Sequence, residues 1–537
     1  MKLHLLTIFF LIFFTNNLFS QDNFDYNVVS YEINLDLYEN FKAPYPGSFN
    51  SLVRISAQAD ATIGQVILNA DNRSLVIDSI NGNGISFLHE NNILTINLDR
   101  LYDSTEAFDL NIFYKHNNIK DSAVYTGAGI FYTDCEPIGA RKWFPCNDRP
   151  DDKALITLNA EVPAGVLLVA NGYLADSLVN ADTVTYKWVS IYPVATYLVA
   201  VVAKTNFNLD VIYWKKTSNP NDSIEVRFYW QPGETKFNID NIKKKIIGML
   251  TMLSNLYGDY PFEKIAFATT NRDFPWGGME NQTIVTLCPD CWTEDLAIHE
   301  LAHQWFGDLI TPKTWSDIWL NEGFATYNES IWIEYTSGYK EYKKSVSNMA
   351  RGYLRKNPGW AIYQTSWSVN VPSDDTLFNF EICYLKSAAM LHQLRYVLTD
   401  SIFFQCMTAY AENPMYKYGN ISTGEFVRFI NSVSGQDLNW FFSEWLSQPN
   451  HPVYQNNYNI EESGKKWKVD YTINQIQKNS GFFKMPVQLK VTFDNGKDSL
   501  ITVNNNYNLQ TFNLEFKDEP VKVSFDPNNE ILLKEVK

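Results

Sequence analysis

Two histidines four residues apart, His299 and His303, stand with Glu300 beside the first in the stretch "LAIHELAHQWFGD" (296–308). Residues four apart share one face of a helix, so both imidazoles would project together. Imidazole nitrogens are zinc ligands, and a catalytic zinc takes three protein ligands and leaves one position for water. The spacing alone is moderately specific; the ordinary alternative is a pair of satisfied core histidines. A third ligand is available in "WSDIWLNEGFATYNES" (315–330), where Glu322 follows His303 by nineteen positions and opens a new helical pattern. A second helix packed antiparallel on the first can deliver that carboxylate. Alone, Glu322 would read as an acid favoured at a helix N-terminus by the dipole. Glu300 adjoins a ligand but points off the ligand face, which suits a general base that takes a proton from the attacking water. Glu329 lies seven past Glu322 on the same face, where it could brace a ligand or stand as a solvated acid.

With these residues in view, the chain resembles the aminopeptidase N and leukotriene hydrolase family of zinc metallopeptidases. "HELAHQWFGD" followed by "NEGFATY" is similar to the family's zinc motif. "WGGMENQT" (276–283), upstream of it, resembles the G-x-M-E-N exopeptidase signature. "CEPIGARKWFPCNDRPDDKA" (135–154) resembles the segment of the family's first β domain that borders the active site. "CYLKSAAMLHQLRYVL" (383–398) resembles the helix that carries a catalytic tyrosine. The likeness covers roughly residues 30 to 537 and is strongest at 130–150 and 257–450.

The resemblance implies one zinc ion held by His299, His303 and Glu322, with Glu300 as base. It implies that Glu280 binds the free α-amine of a substrate and that Glu136 is a second amine anchor. Gly277, Gly278 and Met279 would offer backbone to an extended peptide, as an added strand does. Tyr384 would donate a hydrogen bond to the tetrahedral oxyanion. The implied partners are peptides with a free N-terminus. Two carboxylates facing a buried ammonium measure one residue from the chain end, because an internal peptide offers no charge to pair with them. The implied activity is that of a zinc aminopeptidase. Two other readings compete: a non-catalytic peptide-binding module on the same fold, and an epoxide hydrolase side activity that one branch of the family adds. The presence of all three ligands, the base and the tyrosine argues against the first; nothing in the sequence points to a lipid tunnel for the second.

Departures from the family pattern are local. The tyrosine motif Y-x-K-G reads "YLKS" here, so Ser387 replaces a glycine and the helix start is expected to shift. Asp134 stands where relatives often have glutamine. "CPDC" (288–291) lies in the short link to the zinc motif and can be a disulfide, a plain turn or half of a zinc knuckle, although no second C-x-x-C completes a four-cysteine site. Many relatives carry a further helical domain over the cleft; this sequence stops at Lys537, and a more open cleft is the expectation.

The elements that must position these residues fall into three zones. Residues 21–207 read as strands: "YEINLDLY" and "VTYKWV" alternate at period two, and "TYLVAVVAK" is a continuous buried run. Residues 208–450 are mostly helical, with apolar spacing of three and four in "FNIDNIKKKIIGMLTMLSNLYG" (237–258) and again at 293–306, 320–336, 380–399 and 423–446. Residues 451–537 alternate again, as in "FFKMPVQLKVTF". The expected fold is multidomain α+β: an N-terminal β-sandwich-like domain, a central mostly α catalytic domain, thermolysin-like by the resemblance, and a small C-terminal β-sandwich.

Composition agrees with large cores: of 537 residues, 45% are hydrophobic and 15% aromatic. A net charge of -16 without a basic stripe excludes the usual nucleic-acid binder. At the N-terminus, "MKLHLLTIFFLIFFTNNLFSQD" has a charged Lys2, an apolar run of ten from Leu5 to Phe14, and a small Ser20. That run is too short to span a bilayer and reads as a secretory signal of residues 1–20, cut near Ser20. The mature chain is then expected in the periplasm or outside the cell, with no membrane span. Six cysteines are too few for a disulfide framework in a chain of this length.

Overall fold

The computed structural model describes residues 25–537. The expected secretory signal lies outside the described residues. No described helix is long and apolar enough to cross a membrane.

Three β-sheets build the N-terminal third. In the largest, of seven strands, Tyr26–Asp36 runs parallel to Leu155–Pro163 and antiparallel to Phe49–Ala59. Its period-two pattern turns Val28, Tyr31, Ile33 and Leu35 inward. A four-stranded sheet holds Ile130–Thr133, buried at every residue, and this strand runs directly into Asp134, Cys135 and Glu136. The run "TYLVAVVAK" is buried as expected but is not one strand: Thr196–Leu198 forms a 3₁₀ turn before the strand Val201–Thr205.

The central part opens with a five-stranded sheet that helical periodicity does not reveal. From one edge to the other it runs Asn208–Lys215, Ser223–Trp230, Lys264–Thr269, Ile284–Leu287 and Gly278–Met279. The inner strands "KIAFAT" and "IVTL" are short and buried throughout, so they lack the alternation that marks a half-exposed strand. Nine helices follow among the described residues: α1 (Lys236–Tyr257), α2 (Glu294–His303), α3 (Trp319–Ser337), α4 (Tyr339–Lys356), α5 (Asp374–Leu377), α6 (Ser387–Leu398), α7 (Asp400–Ala411), α8 (Thr423–Ser434) and α9 (Asn439–Ser447).

Two expected helices differ in form. The pattern over 423–446 is broken into α8 and α9 because Gly435 ends α8 in the left-handed conformation, φ 67°. The pattern over 380–399 begins with π-helical turns at Phe380–Lys386 before α6. Ser387, the residue that departs from the family pattern, donates its hydroxyl to the Ile382 carbonyl five residues back at 3.0 Å. It also meets α3: a Cβ on Gly323 would stand 2.6 Å from Ser387 Cβ, so the helices cross this closely only because residue 323 is glycine.

Two three-stranded sheets complete the C-terminal part, one of Asn457–Ser463, Lys466–Ile473 and Gln510–Phe516, the other of Asp498–Asn505, Met485–Phe493 and Pro520–Phe525. Their buried residues, among them Val469, Ile473, Leu489 and Val491, belong to one hydrophobic core with the central helices. A second core fills the N-terminal sheets and reaches Met279 and Cys383. The residues singled out above line the seam between the two.

Candidate active site

Helix α2 starts after the loop Cys288–Thr293 and places Ile298, Leu301 and Ala302 in the core. Its opposite face presents His299 and His303, with ring centroids 4.8 Å apart. Helix α3 packs across it and brings Glu322 from its first turn. The Glu322 carboxylate oxygen Oε2 lies 3.3 Å from His299 Nε2 and 3.5 Å from His303 Nε2. These three ligand atoms all lie within 4.8 Å of one another. The other ring nitrogens are engaged: His299 Nδ1 is 2.9 Å from Glu329 Oε1, and His303 Nδ1 is 3.2 Å from the Phe306 carbonyl. Such partners fix each tautomer so that Nε2 keeps its lone pair for a metal. Glu329 is thus paired with His299, although its side chain keeps 26% exposure.

The donor set is two imidazoles and one carboxylate, the composition that suits zinc. Electrostatics agree. Burial disfavours protonated His299, but Glu322 and Glu329 outweigh it and raise its pKa well above the ordinary value. Burial opposes ionisation of Glu322, yet the two histidines hold its pKa at about 2. Attraction between the imidazoles and the Glu322 carboxylate keeps that carboxylate ionised, the form in which it binds a divalent cation.

Glu300 is 4% exposed, with its Oε2 without a hydrogen-bond partner. Burial pushes its pKa up to about 8. Its carboxylate lies over Gly278: a Cβ there would be 2.3 Å from Glu300 Oε1. Gly277 has no such demand, since its Cβ would only touch Leu296 at 3.5 Å. Gly278–Met279 forms the edge of the five-stranded sheet, antiparallel to Ile284–Leu287. Its outer side has no strand beyond it among the described residues.

Glu280 follows that edge and Glu136 enters from the N-terminal sheets. Carboxylate oxygens of Glu136, Glu280 and Glu322 lie within 4.8 Å of one another. Oε1 of Glu136 and Oε1 of Glu280 are both buried without a partner. Burial, then the neighbouring acids, raises the Glu136 pKa well above the carboxylate range; burial raises that of Glu280. Gly139 lets the Glu136 turn fold back, because a Cβ on it would come within 2.8 Å of the Asp134 carbonyl. Tyr384, on the π-helical turns, stacks near His299 with centroids 6.0 Å apart. Its phenol stays protonated, held far above the ordinary pKa first by burial and then by Glu322.

All eleven residues identified from the sequence border one cleft of about 660 Å³. Others were missed. Trp276, Phe378 and Phe380 add an aromatic wall beside Tyr384. Trp276 donates its indole N–H to Asp134 at 3.1 Å, across 142 positions of sequence. Gln304 ties the strand edge to the zinc-ligand helix: its amide donates to the Glu280 carbonyl at 3.1 Å and accepts from the Thr283 amide at 3.0 Å. Its adjacency to His303 was the one available signal. Cys288 and Cys291 are joined as a disulfide, and the other four cysteines are free and buried.

Family models match across most of this architecture: the Peptidase M1 N-terminal domain over residues 27–198 and the Peptidase family M1 domain over 241–445. The chain belongs to peptidase family M1. Among its relatives, Aminopeptidase M1 of Arabidopsis thaliana is 28% identical over 396 residues, 69% of this chain and 41% of that protein. Aminopeptidase N of Lactococcus lactis is 26% identical over 418 residues, 74% of this chain and 47% of that protein. Probable aminopeptidase 1 of Sulfurisphaera tokodaii is 24% identical over 93% of this chain and 61% of that protein. This M1 chain thus spans from 41% to 61% of the length of these relatives. Two solved structures share its fold. The M1 zinc metallopeptidase of Deinococcus radiodurans, a mutant bound to a Tyr-Ser-Ala substrate, aligns with TM-score 0.69 at 22% identity, covering 79% of this chain and 94% of that one. Legionella pneumophila aminopeptidase A, in complex with aspartic acid, aligns with TM-score 0.78 at 18% identity, covering 97% of this chain and 60% of that one.

Proposed function

We propose that the protein is a zinc aminopeptidase that removes single residues from the free N-terminus of peptides. The observation that carries this reading is that Glu280 and Glu136 each keep a buried Oε1 atom without a hydrogen-bond partner beside a three-ligand metal site. A generic hydrolase needs the metal site alone. Two acids with carboxylate oxygens within 4.8 Å of each other favour a cation beside them, and the α-ammonium of a peptide is a cation placed one residue from the bond to be cut. The names and bound ligands of the relatives support the same class.

His299, His303 and Glu322 would hold the zinc. Bound there, zinc supplies Lewis-acid polarisation of the scissile carbonyl and makes a water nucleophilic at neutral pH. The protein's own groups do the rest. The substrate lies along Gly277–Met279 as an added strand, which fixes its carbonyl in the cleft. Glu280 and Glu136 hold the ammonium. Glu300 takes the proton of the attacking water and passes it to the departing amine. Tyr384, kept protonated, donates to the oxyanion. Peptide bond plus water gives a free amino acid and a shortened peptide.

Hydrolysis of a panel of aminoacyl-naphthylamides, each with a free and an acetylated amine, tests the proposal. Free amines are expected to be cleaved, acetylated ones spared, and a chelator to abolish turnover until zinc is restored. Equal cleavage of both forms, or activity indifferent to the chelator, overturns it. We also propose that the mature chain works outside the cytoplasm, supported by the N-terminal apolar run and the Cys288–Cys291 disulfide. Sequencing the N-terminus of the protein recovered from its native source checks this; retention of Met1 in a cytoplasmic fraction refutes it.

A further inference from the structure

The loop "CPDC" (288–291) connects the two halves of the cleft wall. At its start the Cys288 amide donates to the Gly277 carbonyl at 2.9 Å, extending the pairing of Gly278–Met279 with Ile284–Leu287. At its end the Thr293 amide donates to the Cys291 carbonyl at 2.8 Å, and the Ala297 amide to the Thr293 carbonyl at 3.1 Å, which begins α2. Between them Asp290 adopts φ 61°, an uncommon conformation for a non-glycine residue. Asp290 is tied down at both backbone and side chain: its amide donates to Glu234 Oε1 and its carboxylate accepts from the Thr235 amide, each at 2.9 Å. Cys291 and Asp290 themselves line the cleft. The disulfide thus closes the loop that joins the strand Ile284–Leu287, next to the sheet edge, to the helix carrying His299, Glu300 and His303.

We propose that the Cys288–Cys291 disulfide is a positioning element for extended substrates, and that its reduction selectively weakens their binding. The inference rests on the aminopeptidase reading for its consequence, not for its structural content. A peptide of several residues relies on the Gly277–Met279 edge along its length. A one-residue arylamide relies on the amine anchors and the reacting centre. The catalytic face of α2 is held independently by Ile298, Leu301 and Ala302 in the core. Opening the loop therefore costs the long substrate more than the short one. The four remaining cysteines are already free thiols, so a reductant acting on the native protein acts here. A phosphine reductant attacks one sulfur and breaks the S–S bond; water then displaces that sulfur, giving the phosphine oxide and releasing Cys288 and Cys291 as two thiols.

The full-length zinc-loaded protein, treated with a phosphine reductant and with thiols and zinc counted, provides the test. KM and kcat are measured for an alanyl arylamide and an alanyl pentapeptide, and hydrogen exchange is followed over residues 284–293. Reduction is expected to release two thiols without loss of zinc and to speed exchange of the Cys288 amide. It should raise the pentapeptide KM about five- to tenfold, the scale of one backbone hydrogen bond. Its kcat and the arylamide KM should stay within about twofold. The C288S/C291S variant should show the KM of the reduced enzyme and no response to reductant; if it does not fold, the reduced native protein decides. Thiols that appear while pentapeptide KM and exchange stay unchanged overturn the proposal. Equal KM rises for both substrates overturn it as well. An enzyme silent on every substrate refutes the aminopeptidase reading instead, and exchange of the Cys288 amide alone then decides the loop's role.

Discussion

Replacing Gly278 by alanine should abolish most activity through Glu300, whose carboxylate lies over residue 278. Residue 278 does not require a positive φ, so alanine adds no backbone strain. The added Cβ would instead stand 2.3 Å from Glu300 Oε1, 2.7 Å from Cδ and 2.9 Å from Cγ. Non-bonded heavy atoms settle at roughly 3.5 Å, so the carboxylate must retreat by about 1 Å. The end of a side chain yields more easily than the strand, and the fold and metal ligands should survive. A misplacement of about 1 Å at a reacting group costs on the order of 10²-fold, or about 2.7 kcal/mol of barrier. The assay is kcat/KM on an alanyl arylamide at full zinc occupancy. The double variant G278A/E300Q supplies the control: once the carboxylate is gone, the extra methyl should cost little, because residues that act as a unit are not additive. Activity of G278A within threefold of wild type would refute the argument. A full 10²-fold loss of the methyl on the E300Q background would place the damage in the peptide-binding edge instead.

Glu300→Gln should keep zinc and fold but lose about 10² to 10⁴ in kcat, the range for a removed general base, and near-normal turnover would exclude that role. Glu280→Ala should raise KM for free N-termini by about tenfold or more with zinc content unchanged, measured as KM together with metal analysis; loss of zinc in step with activity would point to a structural role. Glu530 joins the C-terminal sheets to the helices: its Oε2 lies 2.8 Å from Lys343 Nζ and 3.5 Å from His392 Nε2. Burial raises its pKa, but hydrogen bonds with His392 and Lys343 outweigh this and leave it lowered. A carboxylate lowered in the folded state stabilises above its unfolded pKa, about 4.3, and that stability vanishes as pH falls through the folded value. Glu530→Gln should therefore lose about 1.5–3 kcal/mol at pH 7, and the gap should narrow steadily as pH falls below about 4.3 in thermal melts; a pH-independent gap would count against the linkage.

The zinc motif was legible because its information is local. His299, Glu300 and His303 lie within two helical turns, and backbone periodicity alone decides that the two imidazoles share a face. Glu322 was legible for a similar reason, as the acid that opens the next helix. Glu136 and Tyr384 came only from resemblance, since nothing in strand alternation or helix spacing brings residue 136 to residue 384. The same resemblance flagged Ser387, but not that it would bond to Ile382 across a π-helical turn. The inner strands of the five-stranded sheet were hidden because burial on both faces erases alternation.

What the sequence by itself determined is therefore the reacting set and its approximate elements. What the tertiary structure decided is every relation across the seam between the two cores. It placed Glu300 over Gly278, tied Trp276 to Asp134, clamped Glu280 to the ligand helix through Gln304, and left one oxygen each of Glu136 and Glu280 without a hydrogen bond beside the metal ligands. Those relations depend on how the two cores pack, and packing is set by the summed contacts of many distant side chains, which no local pattern records.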